Sequence, residues 1–277
     1  MVNKIGPAGV GPGGTGTASL VVVTGAGSGI GAATATAFAA TGATVICADV
    51  DAEAAEKTAA GCAERGGAGR AEVCDVTDAA AVAALAERTG PVDVLVNNAG
   101  VGMTGRFADM SVDDWRWIRS VNLDGVVHGC AAFGPGMLAR RSGQVVNVAS
   151  GLAYTMRASE AAYVTTKAAV LALSRCLRAD WAEHGVGVTA VCPGFVNTPI
   201  VAATRYLGAR DDARTRARIE RIFRRGHAPE TVARAIVAAA ERNPAVVPVG
   251  WEARLGWHLR RLTPVAVEDR LARLDLL

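Results

Sequence analysis

From Leu20 onward the chain alternates short β-branched runs with longer helical stretches, and this alternation constrains the fold more than any other feature. Strands that alternate with helices form βαβ units, whose right-handed crossovers place helices on both faces of a parallel sheet. We therefore predict one α/β domain with a doubly wound, seven-stranded parallel sheet. The predicted strands are residues 20–23, 44–48, 70–74, 92–96, 144–148, 187–191 and 245–249. The predicted helices are residues 30–40, 52–65, 79–88, 112–140, 161–183 and 229–242.

The two ends of the chain depart from this alternation. Residues 1–18 form a Gly-rich leader, which we predict to be a flexible tail because no strand precedes it. Residues 19–250 hold the predicted domain, and 51% of the chain is hydrophobic, so a large core is available. Residues 251–277 form a C-terminal extension that mixes Trp and Leu with Arg.

Charge and cysteine usage exclude several classes of protein. The 29 basic and 26 acidic residues leave a net charge of +3, too even to indicate a nucleic-acid partner. The six cysteines form no CxxC pair and no signal peptide is present, so we expect reduced thiols, no metal and a cytoplasmic location. No uncharged apolar run is long enough to span a bilayer.

A glycine-rich turn follows the first strand and opens the first helix. Glycine lets the backbone approach a ligand that a Cβ atom would block, and the N-terminus of a helix offers free N–H groups to a pyrophosphate. The spacing is GxxxGxG, which in this strand-turn-helix context predicts dinucleotide binding and a Rossmann-type fold. The residues predicted to contact the dinucleotide here are Gly25, Ser28, Gly29, Ile30 and Gly31.

Asp49 ends the second strand, eighteen residues beyond Gly31. A carboxylate at this place accepts hydrogen bonds from the ribose hydroxyls of the adenosine and repels the 2′-phosphate of NADP. No basic residue follows, since Val50 comes next, and Ser28 lies in the loop. The sequence therefore predicts NAD as the cofactor in preference to NADP.

Tyr163 and Lys167 lie four residues apart in a predicted helix, so both side chains face the same side. A free tyrosine has a pKa of about 10, and a nearby ammonium lowers the pKa by favouring the phenolate. Ser150 ends the fifth strand, at the sheet edge where such folds bind ligands, and its hydroxyl is able to orient a substrate oxygen. Asn122 either supports a water near Lys167 or is a buried helix residue bonded to backbone.

Five motifs of this sequence occur in the same order in the members of one protein family. They are Thr24-Gly25-xxx-Gly29-x-Gly31, Cys74-Asp75-Val76-Thr77, Asn97-Asn98-Ala99-Gly100, Ser150 with Tyr163-xxx-Lys167, and Pro193-Gly194. In these motifs the chain resembles the short-chain dehydrogenase/reductases over about residues 20–250. The resemblance implies a catalytic tetrad of Asn122, Ser150, Tyr163 and Lys167, with Tyr163 as general acid or base.

The resemblance also implies cofactor contacts beyond the glycine turn and a pairing of subunits. Lys167 is implied to bind the nicotinamide ribose, and transfer of the pro-S hydride is expected. A homodimer or homotetramer is implied, formed through the two long helices that flank the active site. The further implied cofactor contacts are Asp75, Val76, Asn98, Ala99, Gly100, Tyr163, Pro193, Gly194, Val196 and Thr198.

The loops expected to hold the substrate are mostly apolar, which favours a hydrophobic secondary alcohol or ketone. Arg157 is the exception; we expect it to face solvent, the alternative being a contact with a carboxylate or phosphate. The predicted substrate residues are Met103, Leu152, Tyr154, Phe195 and Val201.

Two segments leave alternatives open. Residues 199–227 fall where the family carries a substrate lid and hold eight arginines, which form either a solvated face or a site for an anionic group such as a CoA thioester. The C-terminal extension either packs against its own or a partner subunit, which we favour, or contacts a membrane surface peripherally.

Three functions are compatible with the sequence. The leading one is an NAD-dependent oxidoreductase acting on a hydrophobic secondary alcohol or ketone. A 3-oxoacyl thioester reductase is the alternative enzyme, although such reductases usually prefer NADPH. A non-catalytic dinucleotide sensor or scaffold is the alternative from another class, and the presence of Ser150, Tyr163 and Lys167 argues against it.

Overall fold

The computed structural model describes residues 19–273 and contains nine strands in that range. Seven of them form one parallel sheet, as predicted, and the structure gives its order as β3-β2-β1-β4-β6-β7-β9, while β5 and β8 pair separately with each other. The strands are β1 (Leu20–Thr24), β2 (Thr44–Asp49), β3 (Ala68–Val73), β4 (Val94–Asn97), β5 (Met103–Thr104), β6 (Gly143–Val148), β7 (Val186–Pro193), β8 (Arg205–Tyr206) and β9 (Val246–Val249).

Helices cover both faces of the sheet. One face packs against α1, α2 and α8, and the other packs against α3, α5 and α6. The α-helices in the described range are α1 (Gly29–Ala39), α2 (Ala52–Ala63), α3 (Ala79–Thr89), α4 (Val112–Arg119), α5 (Gly125–Arg140), α6 (Ala161–Asp180), α7 (Ala213–Arg224), α8 (Pro229–Arg242), α9 (Trp251–Leu259) and α10 (Val265–Arg273).

The first strand shows how the sequence produces these two layers. Val21 and Val23 pack into the layer under α1 and α8, whereas Val22 packs into the opposite layer, and all three are fully buried. Successive side chains of a strand point to opposite faces, so a strand buried on both faces needs a continuous apolar run. Burial of each such side chain contributes roughly 1.5–3 kcal/mol.

The order of the strands positions the site. The chain runs from β1 outward to β2 and β3, then returns to β4 on the other side of β1. The connections after β1 and β4 therefore leave the sheet in opposite directions, which opens a crevice at the carboxyl ends of these two strands.

The long helix predicted at residues 112–140 is interrupted. It consists of α4, a π-helical turn at Ser120–Asp124, and α5. Asn122, inside this turn, is fully buried and its side chain bonds to the backbone of Val101. A π-turn inserts an extra residue into a helix and often marks a functional site. Sequence periodicity does not detect it because the apolar residues continue through it.

Smaller differences concern element ends. The third strand is residues 68–73 rather than 70–74, the fourth is 94–97 rather than 92–96, and α6 ends at Asp180 rather than Glu183. The extension beyond Gly250 forms α9 and α10. The segment 199–227 contains β8 and α7.

Four further predictions concern the two ends of the chain, membrane spans, metal ligands and cysteines. The predicted leader 1–18 and Leu274 lie outside the described residues. Within residues 19–273 no helix is both long enough and apolar enough to cross a bilayer, and no cluster of metal-ligating side chains occurs. Five cysteines are buried, and Cys176 is exposed.

Candidate active site

The glycine turn after β1 is shaped so that no larger residue fits. Gly25 has φ +64°, and a Cβ built there would lie 2.8 Å from the Cα of Ala99. A Cβ at Gly31 would lie 1.9 Å from the carbonyl oxygen of Gly25. Ser28 precedes α1 without capping it by its side chain, so the first N–H groups of that helix remain available. This turn fits a pyrophosphate group.

Asn98 holds the glycine turn against the end of β4. Its side-chain Nδ2 donates to the carbonyl oxygens of Thr24 (2.9 Å) and Gly25 (3.1 Å). The Thr24 hydroxyl in turn accepts from the backbone N–H groups of Asn98 (3.0 Å) and Ala99 (3.2 Å). The side chain of Asn98 is thus a support for the turn, and its backbone faces the crevice.

Asp49 lies at the carboxyl end of β2 beside the same turn. One carboxylate oxygen accepts from the backbone N–H of Gly27 (2.8 Å) and the other from that of Asp51 (3.0 Å). Both bonds fix the carboxylate at the edge of the crevice, where Val50 next to it is exposed.

A cavity of about 530 Å³ runs from Asp49 to Lys167 and collects most residues that the sequence predicts to bind the cofactor. Gly31 lies beneath the turn and Asn122 behind Gly100, and neither lines the cavity. The predicted residues that line it are Gly25, Ser28, Gly29, Ile30, Asp49, Asp75, Val76, Asn98, Ala99, Gly100, Ser150, Tyr163, Lys167, Pro193, Gly194, Val196 and Thr198.

Ser150 and Tyr163 meet at the inner end of this cavity. Their side chains are hydrogen-bonded to each other, and the Ser150 hydroxyl also accepts from the backbone N–H of Leu152 at 3.1 Å. Burial raises the pKa of Tyr163 to about 12, and the negative charge of Glu160 contributes to this rise. The hydrogen bond from Ser150 has the opposite effect and lowers the pKa. In this state the phenol is therefore protonated at neutral pH, so it stands ready to donate its proton.

Lys167 lies one helical turn beyond Tyr163 on α6 and is only 4% exposed. Its Nζ donates to the carbonyl oxygen of Val148 at 3.0 Å. Burial lowers the pKa of Lys167 to about 8, and the neighbouring Cys192 opposes that change. The interior thus holds an amine whose pKa burial has lowered.

Asn122 is a buried helix residue bonded to backbone, which is one of the two arrangements that the sequence left open. Its Oδ1 accepts from the Val101 N–H (2.8 Å), and its Nδ2 donates to the Val101 carbonyl (2.9 Å) and to the Thr166 hydroxyl (3.3 Å). It nevertheless lies close to Lys167, because a Cβ at Gly100 would be 3.3 Å from both Asn122 Oδ1 and Lys167 Nζ. Its role in a proton relay stays a prediction.

A second cavity, of about 380 Å³, opens on the other side of Ser150 and Tyr163. All five predicted substrate residues line it, and its walls are mostly apolar. The segment 199–227, which the resemblance predicts to be a lid, contributes Val201, Tyr206, Ile219 and Phe223. The arginines of α7 are exposed, and one of them, Arg216, lies over the ring of Tyr206 at 4.7 Å from the ring centroid.

The C-terminal extension closes part of the second cavity. Tyr154 donates its hydroxyl hydrogen to the carbonyl of Ala253 (2.7 Å) and packs edge-to-face on Trp257 at a centroid distance of 5.3 Å. The backbone N–H of Ala158 donates to the carbonyl of Ala272 at 3.1 Å. The sequence favoured packing of the extension against its own or a partner subunit. The contacts just described show that it packs against its own subunit.

The fold and this site together are those of one known family. The model of the short chain dehydrogenase family matches residues 19–206, well over half of the chain. The chain belongs to the short-chain dehydrogenase/reductase family. Probable oxidoreductase EphD of Mycobacterium tuberculosis is 42% identical over 242 residues, which cover 84% of this chain and 41% of that protein. The chain thus spans about two fifths of the length of this relative.

Solved structures of the short-chain dehydrogenase/reductase family share the whole fold. A member from Burkholderia phymatum in complex with NAD is 31% identical, with a TM-score of 0.81 over 94% of this chain and 97% of that one. A protein from Beutenbergia cavernae with NADP bound at low occupancy is 37% identical, with a TM-score of 0.72 over 83% of this chain and 94% of that one. Structures similar to this chain therefore contain either dinucleotide.

Sequence reasoning missed that the C-terminal extension of this short-chain dehydrogenase/reductase lines the second cavity. Ala253, Gly256 and Leu259 of α9, with Leu271 and Ala272 of α10, line the second cavity. A signal was present: small residues at 253 and 256 share one helix face, and a Cβ at Gly256 would lie 3.3 Å from the Tyr154 ring. Arg157, expected to face solvent, also lines this cavity.

Proposed function

We propose that this protein is an NAD-dependent oxidoreductase that interconverts a hydrophobic secondary alcohol and its ketone. The observation that carries the proposal is the hydrogen-bonded pair Ser150–Tyr163, which lines both cavities at once. A substrate in the apolar cavity is thereby brought next to a nicotinamide in the other. When bound, the nicotinamide supplies the hydride donor or acceptor.

The chain's own groups handle the proton and the substrate oxygen. In reduction, Ser150 donates a hydrogen bond to the carbonyl oxygen and Tyr163 delivers its phenolic proton to that oxygen. In oxidation, Tyr163 must accept the alcohol proton, which requires its pKa to fall from about 12. The ammonium of Lys167 and the positive charge of an oxidised nicotinamide both favour the phenolate. Pro193 and Gly194 line both cavities, so a substrate in one and a nicotinamide in the other would both contact them.

NAD is proposed over NADP on the position of Asp49. Its carboxylate is fixed at the crevice edge by two backbone N–H groups and therefore does not swing away from a ribose. The carboxylate of Asp49 would repel a 2′-phosphate at the same place, because both groups are negatively charged. Among the described residues, the only arginine or lysine that lines the cavity is Lys167, at its far end.

The test is turnover of secondary alcohols and ketones of increasing apolar size, followed by nicotinamide absorbance, with wild type and Tyr163→Phe. We expect Tyr163→Phe to lose roughly 10²–10⁴-fold in kcat. Its Kd for NADH should stay within about threefold of wild type. Tyr206→Phe, which removes a hydroxyl from the same cavity, should lose far less. Wild-type activity in Tyr163→Phe would refute the mechanism.

The other two functions receive less support. A 3-oxoacyl thioester reductase needs a site for a polyanionic carrier, yet no arginine of α7 lines either cavity and Arg216 is paired with Asp211. A sensor without catalysis would need only the first cavity. NADH binding with silence across the whole panel would favour the sensor.

We also propose that the protein assembles through α5 and α6 into a homodimer or homotetramer and acts in the cytoplasm. These helices flank the site and are the longest described. Light scattering of the purified chain measures the assembly; a monomer would contradict it.

A further inference from the structure

The second cavity contains a cationic group that the proposed chemistry does not use. Arg157 lines this cavity, and its guanidinium lies over the ring of Phe195 at 5.8 Å from the ring centroid. Its Nη1 is buried and has no hydrogen-bond partner among the described residues. Arginine is always charged, and an unpaired buried donor on a charged group is costly, so such a nitrogen normally has an acceptor.

The acidic groups of the cavity do not supply that acceptor. The carboxylate of Glu252 receives the Phe195 N–H (2.8 Å) and lies 3.0 Å from His227 Nε2. Glu160 and Glu268 also line the cavity, and neither accepts a hydrogen bond from Nη1. The acceptor for Nη1 must therefore come from outside the described residues.

The position of Arg157 is fixed by its surroundings. The next residue, Ala158, donates its N–H to Ala272 of α10, so the loop is held against the C-terminal extension. The ring of Phe195 also packs edge-to-face on Phe223 of α7, at 5.5 Å between centroids. The guanidinium thus lies beside the Phe195 ring, in a loop held by the extension, and the walls of the cavity around it are mostly apolar.

A guanidinium in this setting selects for a carboxylate. Its planar fork matches two carboxylate oxygens, and a charge-assisted pair strengthens when water is excluded. The rest of the cavity offers Met103, Leu152, Val201 and Ile219 to an apolar body. Ser150 and Tyr163 line the same cavity and suit a different group, the neutral hydroxyl or carbonyl oxygen of the substrate.

We infer that the substrate is a hydroxy or oxo carboxylic acid whose carboxylate binds Arg157, with an apolar body between it and the reacting carbon. This inference rests on the proposed function for the reacting end and adds the chemical class of the other end. It distinguishes the substrate from a neutral alcohol and from a thioester, neither of which presents a carboxylate to Arg157.

The experiment compares oxo acids of graded chain length with their methyl esters, in wild type, Arg157→Leu, Arg157→Lys and Arg254→Leu. Wild type should prefer the best acid over its ester by roughly tenfold or more in kcat/KM. Arg157→Leu should lower kcat/KM for the acid by roughly 100-fold, mainly through KM, and leave the ester unchanged. Arg157→Lys should fall between them. Arg254→Leu, which removes an exposed arginine of α9, should match wild type.

A binding measurement separates this inference from the proposed function. Calorimetry of the NADH-loaded protein with a saturated medium-chain carboxylate and with its methyl ester requires no turnover. Preferential binding of the carboxylate, lost in Arg157→Leu, supports the inference even if no ketone is reduced. Equal binding of acid and ester by wild type, or equal loss of both in a folded Arg157→Leu, overturns it while leaving the oxidoreductase proposal intact.

Discussion

The carboxylate of Glu252 accepts the backbone N–H of Phe195 at 2.8 Å and so joins the C-terminal extension to the loop after β7. That loop holds Pro193 and Gly194, which line both cavities. The other oxygen of Glu252 pairs with His227 at 3.0 Å, at the end of the lid segment. The extension, the loop and the lid therefore share one acidic side chain.

Removal of this carboxylate should loosen the loop. We expect Glu252→Ala to lower kcat/KM by roughly 10- to 100-fold, since a buried charge-assisted hydrogen bond contributes about 1.5–3 kcal/mol. Glu252→Gln keeps an acceptor for the Phe195 N–H and should retain most activity. Glu241→Gln, at an exposed site on α8, serves as the control. Full activity of Glu252→Ala would show that the loop is held by other contacts.

Buried Lys167 should make the cofactor-free protein more stable as the pH rises. Its folded pKa of about 8 lies below the ordinary value of 10.5, so between these pH values the unfolded chain binds more protons than the folded one. Stability therefore increases with pH through that window. Lys167→Met should raise the free energy of unfolding at pH 7 by about 1–3 kcal/mol and abolish turnover. Above roughly pH 10 the gain should vanish.

Urea unfolding at several pH values measures this effect. Lys57→Met is the control, because Lys57 is exposed on α2 and carries no such penalty. An unchanged or lowered stability of Lys167→Met at pH 7 would mean that the ammonium is well accommodated by Val148 and its surroundings.

Gly31 should be indispensable for dinucleotide binding. A methyl group there would meet the Gly25 carbonyl at 1.9 Å, which forces the turn to open. Gly31→Ala should weaken NADH binding by roughly 100-fold or more in a fluorescence titration. Gly61→Ala is the matched control, because a Cβ in that helix would find its nearest neighbour at 3.9 Å. Equal NADH affinity in both variants would contradict the assignment of the turn.

Asp49 should set the choice between the two dinucleotides. Asp49→Asn keeps an acceptor but removes the charge, so the ratio of kcat/KM for NADP to that for NAD should rise by roughly 10- to 100-fold. Asp51→Asn removes a charge two residues away and preserves the cap of α2, because Asn and Asp cap equally well. A similar rise in Asp51→Asn would indicate a general charge effect rather than a contact made by Asp49.

The parts of this protein that the sequence determined by itself are those encoded by neighbouring residues. The apolar runs of strands such as β1, the glycine spacing at Gly25 and Gly31, and the four-residue spacing of Tyr163 and Lys167 depend on local periodicity. Backbone sterics and helix geometry connect such patterns directly to structure. The seven-stranded sheet and the glycine turn of the first cavity follow from them, whereas the cavity's further cofactor contacts were implied by the family resemblance.

Only the tertiary structure decided the π-turn at Asn122, the place of Arg157 in the wall of the second cavity and the place of Glu252. Each depends on partners distant in the chain: Val101 for Asn122, Phe195 for Arg157 and Glu252. An arginine in a loop is ordinarily solvated, and its sequence neighbours do not reveal that α9 and α10 of the C-terminal extension line the same cavity. Burial is a property of the assembled fold, so the part of the second cavity wall that α9 and α10 supply became visible only in the structure.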